Sequence, residues 1–499
     1  MNTEITSINL YCPEEARTHS SIALLWDKPE NYEKIEKYLI FCEGEIIGET
    51  ADTDYTVCGL EADTTYYFRI QAMEKDSQSE KSNMIMVSTK PAPEIFNITQ
   101  YGAQGDGKTL NTQAIQKAID ACTEGGMVYI PKGVFLTGAI FLKGDMTLFI
   151  EEGGKLLGST EVRDYPIMNY RFEGLETYGY ASLINTADMG NKRLKHITIA
   201  GKGTIDASGS PLRKKELAEN LGKPGRAVCI RNTDYVYMKD ITVRQSPAWC
   251  VHTIYCGHVS LNLVKIHTKY SEDGIPYENI VNGDGYDPDS CHDVHVFHCT
   301  IASEDDCIAI KSGRDREGRK IGIPSENIRI TNCRFLSGFG VAVGSEMAGG
   351  VRNILVQDCV CEDVYSAVSI KAPRGRGGVV EQVVYDNITQ YYSSDEKSDC
   401  EWFRGAVYID QFYSHDVFDL DEKMPVDEST PVIRNITLKN ITAGTRGGNG
   451  LYLAGLPESP LQNIRLENIR ISGRYGMKIN HTENLSMKNL SVHICPAGI

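Results

Sequence analysis

NIRITNCRF begins at Asn327, and the same phrasing returns as NILVQDCVC at Asn353, NITLKNITA at Asn435, NIRLENIRI at Asn463 and NLSMKNLSV at Asn484. Looser copies precede them: YVYMKDITV from Tyr235, HVSLNLVKI from His258 and DVHVFHCTI from Asp293. Neighbouring copies mostly lie about 21 to 35 residues apart, a solenoid period. Within a copy, apolar and polar residues alternate. That is a strand signal, because successive side chains of a strand point to opposite faces. A polar residue, often Asn, stands first in each copy and again five residues on. Coils stacked in register bring such amides together as ladders that satisfy polar groups at the corners. The pattern predicts a right-handed parallel β-helix, in which each coil buries one face and none is stable alone.

Ahead of the repeats the grammar changes. TLNTQAIQKAIDACTEGG, from Thr109, sets Ala114, Ile115, Ala118, Ile119 and Cys122 at helical spacing and closes at Gly125. This helix is expected to cap the open end of the β-helix core, covering an edge that could otherwise aggregate. Before it, STKPAPEIFNIT carries Pro91 and Pro93 and reads as a linker. Residues 1–92 show about seven short alternating strands, a sandwich pattern. Ile22, Leu24 and Trp26 share one face, as do Tyr38, Ile40 and Cys42, and then Tyr66, Phe68, Ile70 and Ala72. The segment resembles a fibronectin type III domain, with Trp26 as its core tryptophan and Leu60 with Tyr66 as its leucine and tyrosine corner. It carries no catalytic cluster, so a spacer or packing role is expected, with carbohydrate or partner binding as the alternative. The expected division is 1–92 for the sandwich and 93–499 for the β-helix.

Composition bounds the function. The chain has 499 residues, 41% of them hydrophobic and 24% charged, which excludes a mostly disordered chain. Its 51 basic and 67 acidic residues give a net charge of −16, against the basic balance of most nucleic-acid binders, so no nucleic-acid partner is expected. No run of about 18 apolar residues occurs, so no membrane helix is expected either. The first residues, MNTEITSINLYCPEEARTHSS, lack the basic start and apolar stretch of a secretory signal. The 15 scattered cysteines then suit reduced core residues better than a disulfide framework. A cytoplasmic location is expected on these grounds, unless a leader has been removed. Oligomeric state is not readable.

GAQGDGKT, residues 102–109, matches the phosphate-binding loop pattern letter for letter. That mechanism needs a parallel sheet flanked by helices and a strand ending in an acidic magnesium ligand. The repeated strands downstream offer neither, so a glycine-rich turn into the cap helix is the preferred reading. FNITQYGAQGDGKTLNTQAIQKAID resembles the opening of pectin-degrading β-helix enzymes.

The chemistry is concentrated in NGDGYDPDSCHDV, residues 282–294, and SEDDCIAIKSG, residues 303–313. Asp284 precedes Asp305 and Asp306 by 21 and 22 residues, about one coil. Strands one coil apart stack roughly 4.8 Å from each other, so three carboxylates converge on one surface patch. Adjacent strand residues face opposite ways, so Asp305 and Asp306 require a bend to share that patch. Two carboxyl groups flanking a sugar linkage give glycoside hydrolysis: one protonated as acid, another ionised to act on water. Repulsion between like charges raises the acid's pKa. A calcium site using Asp287 and Asp289 is the competing functional reading, and turn aspartates at coil corners the bland one.

From about residue 94 onward the chain resembles the polygalacturonase family, glycoside hydrolase family 28. Asn282-Gly283-Asp284 stands where the family has Asn-Thr-Asp, and Asp305-Asp306 at its Asp-Asp motif. SPAWCVHTIYC, with Pro247, Trp249 and His252, and GLPESP from Gly455 extend the similarity. The resemblance implies inverting hydrolysis, with Asp305 as general acid and Asp284 and Asp306 activating and orienting water. Inversion implies carboxyl groups about 6.5–9.5 Å apart. No cofactor and no metal are implied. Two motifs depart from the family. Its Gly-His-Gly is Gly338-Phe339-Gly340 here, which trades a titrating neighbour for a flat apolar face. Its Arg-x-Lys is Ser369-Ile370-Lys371, which removes a bidentate clamp and leaves Lys371 as a point charge.

Basic residues follow the acidic pair at Lys311, Arg314, Arg316, Arg319 and Lys320, and again at Lys371, Arg374 and Arg376. In an acidic chain such clusters focus an anionic substrate. Arg316, Arg319 and Lys320 read as a solvated loop. Asn282, His252, Lys311, Phe339, Lys371, Arg374 and Arg376 are taken as substrate-binding candidates, His252 and Trp249 as a sugar platform or as coil packing. The expected activity is release of galacturonate from the ends of acidic pectic oligosaccharides, with the insert SEDGIPYENIV before Asp284 walling one end of the cleft. The rivals are a rhamnogalacturonan or xylogalacturonan hydrolase, a lyase, and a carbohydrate-binding β-helix without turnover.

Overall fold

The computed structural model describes residues 8–29, 32–74, 78–186, 192–280, 282–391, 404–414 and 419–495. The chain forms two compact units. Met1–Ile95 with Thr123–Met127 make the first, and Phe96–Cys122 with Val128–Ile499 the second. The division of the main chain thus falls at Ile95–Phe96, against the 92–93 read from the proline-rich linker.

The first unit is antiparallel. Ser21–Trp26 pairs with Asp54–Cys58, and Ile35–Cys42 pairs with both Glu45–Thr50 and Thr65–Glu74. Alternation decides which side chains meet: Ile22, Leu24, Trp26, Tyr38, Ile40, Phe68, Ile70 and Ala72 are all buried in one core. Trp26 meets Tyr38 edge to face, with ring centroids 5.2 Å apart. The Tyr66 hydroxyl accepts a hydrogen bond from the Glu61 amide at 3.0 Å, the geometry of a tyrosine corner.

The second unit is a parallel β-helix. Register carries one apolar column from coil to coil through Met146, Ile197, Val236, Val259, Val294, Ile328, Ile354, Val383, Ile436 and Ile464. Every member is buried. Each such side chain contributes about 1.5–3 kcal/mol, and its contacts come from the coils above and below, so the stack is cooperative.

The corners explain the recurrent asparagines. Asn327, Asn353, Asn435, Asn463 and Asn484 all hold φ between 54° and 57°, the left-handed region that Asn tolerates better than most residues. Their amides form the expected ladders. Asn463 Nδ2 donates to Asn435 Oδ1 at 2.9 Å, and Asn484 Nδ2 to Asn463 Oδ1 at 3.1 Å. Five residues on, Asn468 bonds Asn440 and Asn489 bonds Asn468.

Helix α1, Thr112–Ala121, buries Ile115, Ala118 and Ile119. It caps the end coil through Gln116, whose side-chain amide donates to Phe141 O and accepts from Phe141 N, both at 3.0 Å. One glutamine thereby supplies the edge strand with a surrogate peptide group. The phosphate-loop motif is occupied from within. The Asp106 carboxylate accepts from the amides of Lys108 and Thr109 and from the Thr109 hydroxyl, and these bonds lower its pKa to about 2. A carboxylate stands where a phosphate would have to sit.

The ladder yields a test. Asn463→Ala places a Cβ-bearing residue at φ +56° without its amide and is expected to destabilise by about 1–2 kcal/mol. Asn463→Gly loses the same hydrogen bonds but adopts that φ freely. Melting temperatures should therefore rank wild type, then Gly, then Ala. Ala above Gly would show that the backbone conformation is not what selects asparagine.

Candidate active site

Asp284 lies just before the strand Tyr286–Asp289, and Asp305 and Asp306 lie within Thr300–Ile310. The Glu304 amide donates to Gly283 O and the Gly285 amide to Asp306 O, which stacks Asp284 on Asp305 one coil away. Asp306 in turn pairs in register with Phe339. The bend expected at the acidic pair is a bulge: the strand runs unbroken, but its register against Arg334–Val343 shifts between Ala302 and Asp306. Gly338 makes room for it at φ +77°, since a Cβ there would fall 2.0 Å from Asp305 O.

Two lysines reach into the carboxylates. Lys371 Nζ lies 2.8 and 3.0 Å from the two oxygens of Asp306. Lys311 Nζ lies 3.3 Å from Asp284, 3.4 Å from Asp287 and 3.2 Å from Glu346. Both ammonium groups are almost fully buried, and the surrounding carboxylates outweigh that burial and keep them protonated. Five carboxyl groups, Asp284, Asp287, Asp305, Asp306 and Glu346, thus share Lys311, Lys371 and Arg376. Glu346 is brought down to about 2 by Lys311 and Arg376 against the cost of burial. The others are too many for the remaining charge. Burial, then Asp284 and Asp306, push Asp305 well above the carboxylate range. Burial and Asp287 do the same to Asp284, and burial lifts Asp287 to about 7 although Lys311 opposes it. One group poised as an acid beside one held against an ammonium is the arrangement general acid–base hydrolysis needs.

The candidate binding residues divide. Asn282 is exposed, with Nδ2 3.3 Å from Asp305 Oδ2. His252 corrects the platform reading: it is wholly buried, edge-on to Trp249, with Nε2 3.5 Å from Asp289, so it cannot touch a sugar. Burial lowers its pKa to about 3. Trp249 is buried too, stacked on Phe172 under the Lys311 ammonium. Phe339 offers no open face. It is 1% exposed and packed between Tyr365 and Lys371. Ser369 is fully buried. Lys311 and Lys371 are likewise enclosed, and they serve the carboxylates from below. The loop 271–280 docks on helix α2, Gly209–Glu219, where Ser210 Oγ donates to Glu278 O.

Arg374 and Arg376 do line a cavity of about 670 Å³, together with Arg314, Gln411, Tyr413 and Glu458. Arg374 makes a bidentate pair with Glu458 of the GLPESP segment, and Arg376 bonds Asp315 and Ser345. Tyr413 links this cavity to the acidic cluster, its ring 5.3 Å from Lys371 Nζ. The calcium alternative at Asp287 and Asp289 meets cations already in place: Lys311 faces Asp287, and Arg171 pairs with Asp289 at 3.0 Å.

Several site residues escaped the sequence reading. Asp287 was seen only as a possible metal ligand and Glu346 not at all, although SEM at 345–347 follows the Gly-Phe-Gly motif closely. The antiparallel hairpin of Ile167–Phe172 and Leu175–Tyr180 was missed entirely. It sends Arg171 to Asp289, Phe172 to Trp249 and Glu173 to Arg314, and so covers these strand residues.

Comparison with known proteins follows the same division. Residues 128–495 match the family model described as glycosyl hydrolases family 28, and residues 12–88 that of the fibronectin type III domain. Residues 95–154 match the model for rhamnogalacturonase A/epimerase, pectate lyase-like. The chain is 30% identical over 452 residues to an exo-poly-alpha-D-galacturonosidase of Dickeya chrysanthemi, covering 76% of this chain and 73% of that one. A family 28 exopolygalacturonase structure from Yersinia enterocolitica superposes with a TM-score of 0.77 at 22% identity, covering 98% of both chains. A hyperthermoactive exopolygalacturonase from Thermotoga maritima gives 0.64 at 25% identity, covering 80% of this chain and 93% of that one.

The buried carboxyl cluster predicts a pH effect. The Asp287 carboxyl ionises near 3.8 when unfolded and near 7 when folded. A raised folded pKa means that the group's contribution falls as pH rises through that window. Asp287→Asn removes the loss. Its unfolding free energy relative to wild type should be higher at pH 8 than at pH 4.5, by an amount on the order of a few kcal/mol. A difference independent of pH would show that Lys311 keeps Asp287 ionised throughout.

Proposed function

Because the chain belongs to glycosyl hydrolases family 28, we propose that it removes galacturonate units from the ends of acidic pectic oligosaccharides by inverting hydrolysis. Asp305 protonates the leaving glycosidic oxygen. Asp306, held against Lys371, takes the proton of the attacking water, and Asp284 orients that water from the next coil. The observation that carries this reading is the contrast between neighbours: Asp305 is driven toward its protonated form by Asp284 and Asp306, while both oxygens of Asp306 face an ammonium.

End-wise action is supported by shape. The cavity of about 670 Å³ lies within the ~300–1,000 Å³ of small-ligand sites. It is bounded by residues 411–414, 424–430 and 458, and Arg314 on its rim is tied to the hairpin through Glu173. Substrate carboxylates are drawn there by Arg314, Arg374 and Arg376, which make up for the family arginine absent at position 369. The rhamnogalacturonan and xylogalacturonan alternatives drew on Phe339 and Ser369, and both side chains are sealed from the cleft.

Wild type and Asp305→Asn should be incubated with reduced-end-labelled oligogalacturonides and the products followed by size and by anomeric NMR signals. Monomer release with the β anomer appearing first is expected. The Asp305→Asn rate should fall by about 10²- to 10⁴-fold. The wild-type rate should also fall as pH rises through the elevated Asp305 pKa, because the acid loses its proton. Random internal cuts would overturn the end-wise reading, and initial α product would overturn inversion.

A further inference from the structure

Asp293 opens a copy of the repeat at the corner where later coils carry Asn327 and Asn353, and His258 holds the same corner one coil earlier. The strands Gly257–Asn262 and His292–Phe297 pair in register, Gly257 with His292 and Val259 with Val294. That register sets His258 beside Asp293, while His292 lies across Gly257, where any Cβ would meet its ring at 2.5 Å. Three ligand residues from two successive coils therefore meet at one partly exposed corner, with a donor atom of each within 4.8 Å of the others.

We propose that His258, His292 and Asp293 bind one divalent transition-metal ion of the zinc, cobalt or nickel class, which fastens two successive coils together. The donor spacing fits. Asp293 Oδ2 lies 2.8 Å from His292 Nδ1 and 3.8 Å from His258 Nδ1. Tetrahedral donors bound to zinc at about 2.0–2.1 Å stand roughly 3.3 Å apart, between those two distances. A hydrogen bond accounts for the His292 contact but not for His258, whose nitrogen is too far for one. The surroundings fix the donors. Asn327 Nδ2 occupies the other Asp293 oxygen at 3.0 Å, leaving Oδ2 for the ion. The Tyr235 ring stacks on His258 with centroids 4.8 Å apart, and His196 stacks on Tyr235 at 4.7 Å. The backbone departs from the ladder rule to do this, since Tyr235 at φ +60° occupies a region that suits asparagine far better. Two imidazoles and one carboxylate select borderline transition ions over magnesium or calcium, and three protein donors leave a position for water.

The test uses tag-free full-length protein stripped with chelator. Calorimetry with Zn²⁺ should show one saturable equivalent, Co²⁺ should give visible ligand-field bands, and Zn²⁺ should raise the melting temperature by mass action. His258→Gln combined with His292→Gln should weaken binding by more than about tenfold and abolish the melting shift. Its melting temperature in chelator should stay near that of wild type, which separates lost binding from lost folding. Asp293→Asn, a smaller change, should weaken binding in the same direction. Asp305→Asn should bind as wild type does. Absence of saturable binding, equal binding by the double variant, or binding lost in Asp305→Asn would overturn the proposal.

Discussion

Everything in the β-helix depends on one constraint: coils must stack in register at the spacing of a parallel hydrogen-bond ladder. The column from Met146 to Ile464 shows how the sequence meets it, because each apolar side chain stacks on its register partners in the coils above and below. That spacing is also what makes chemistry available. Asp284 and Asp305 are far apart along the chain yet meet across a single ladder step, and Lys371 reaches Asp306 from a later coil. No loop has to be ordered to assemble them. The rigidity that the core supplies is therefore inherited by the carboxyl groups, whose separation decides what reaction they can perform.

The same stacking creates an electrostatic cost. Carboxyl groups one ladder step apart repel, and burial strengthens the repulsion. Lys311 answers three of them at once, Lys371 answers Asp306, and Arg376 helps to hold Glu346. The compensation is incomplete, and its incompleteness is useful. Asp284, Asp287 and Asp305 are all pushed above the ordinary carboxylate range, although Lys311 reaches the first two, and that is the direction a general acid needs. Full neutralisation would give a more stable cluster with no acid in it.

What the sequence disclosed and what it hid follow from this geometry. Coil-to-coil relations were legible, because period and alternation set them: the asparagine ladders, the cap helix and the stacking of Asp284 on Asp305 were all read from spacing. Depth was not legible. His252, Lys311 and Lys371 sit on outward-facing strand positions by alternation, but the hairpin and the segment around Tyr413 cover them, and Phe339, on the inward parity of its strand, is closed off by Tyr365. A covering hairpin has its own antiparallel register, independent of the coil period, so nothing in the repeat announces it. The letter-perfect phosphate loop fails for the same kind of reason. Its pattern says nothing of Asp106 folding back on its own amides.

The candidate site and the proposed metal corner both lie where the repeat is broken. Between Ala302 and Asp306 the register shifts, Gly338 accommodates the shift, and adjacent aspartates gain a common environment that regular alternation forbids. At the corner column, asparagine gives way to Tyr235, His258 and Asp293 in consecutive coils, and left-handed positions built for amide ladders are spent on rings and a carboxylate. Tyr235 at such a left-handed position forgoes a local preference worth about 1 kcal/mol or more. The regular coils on either side can absorb that cost, because their columns and ladders remain intact. A solenoid thus separates the two demands on a sequence. Periodic residues carry the stability, and the few aperiodic ones are free to be selected for chemistry.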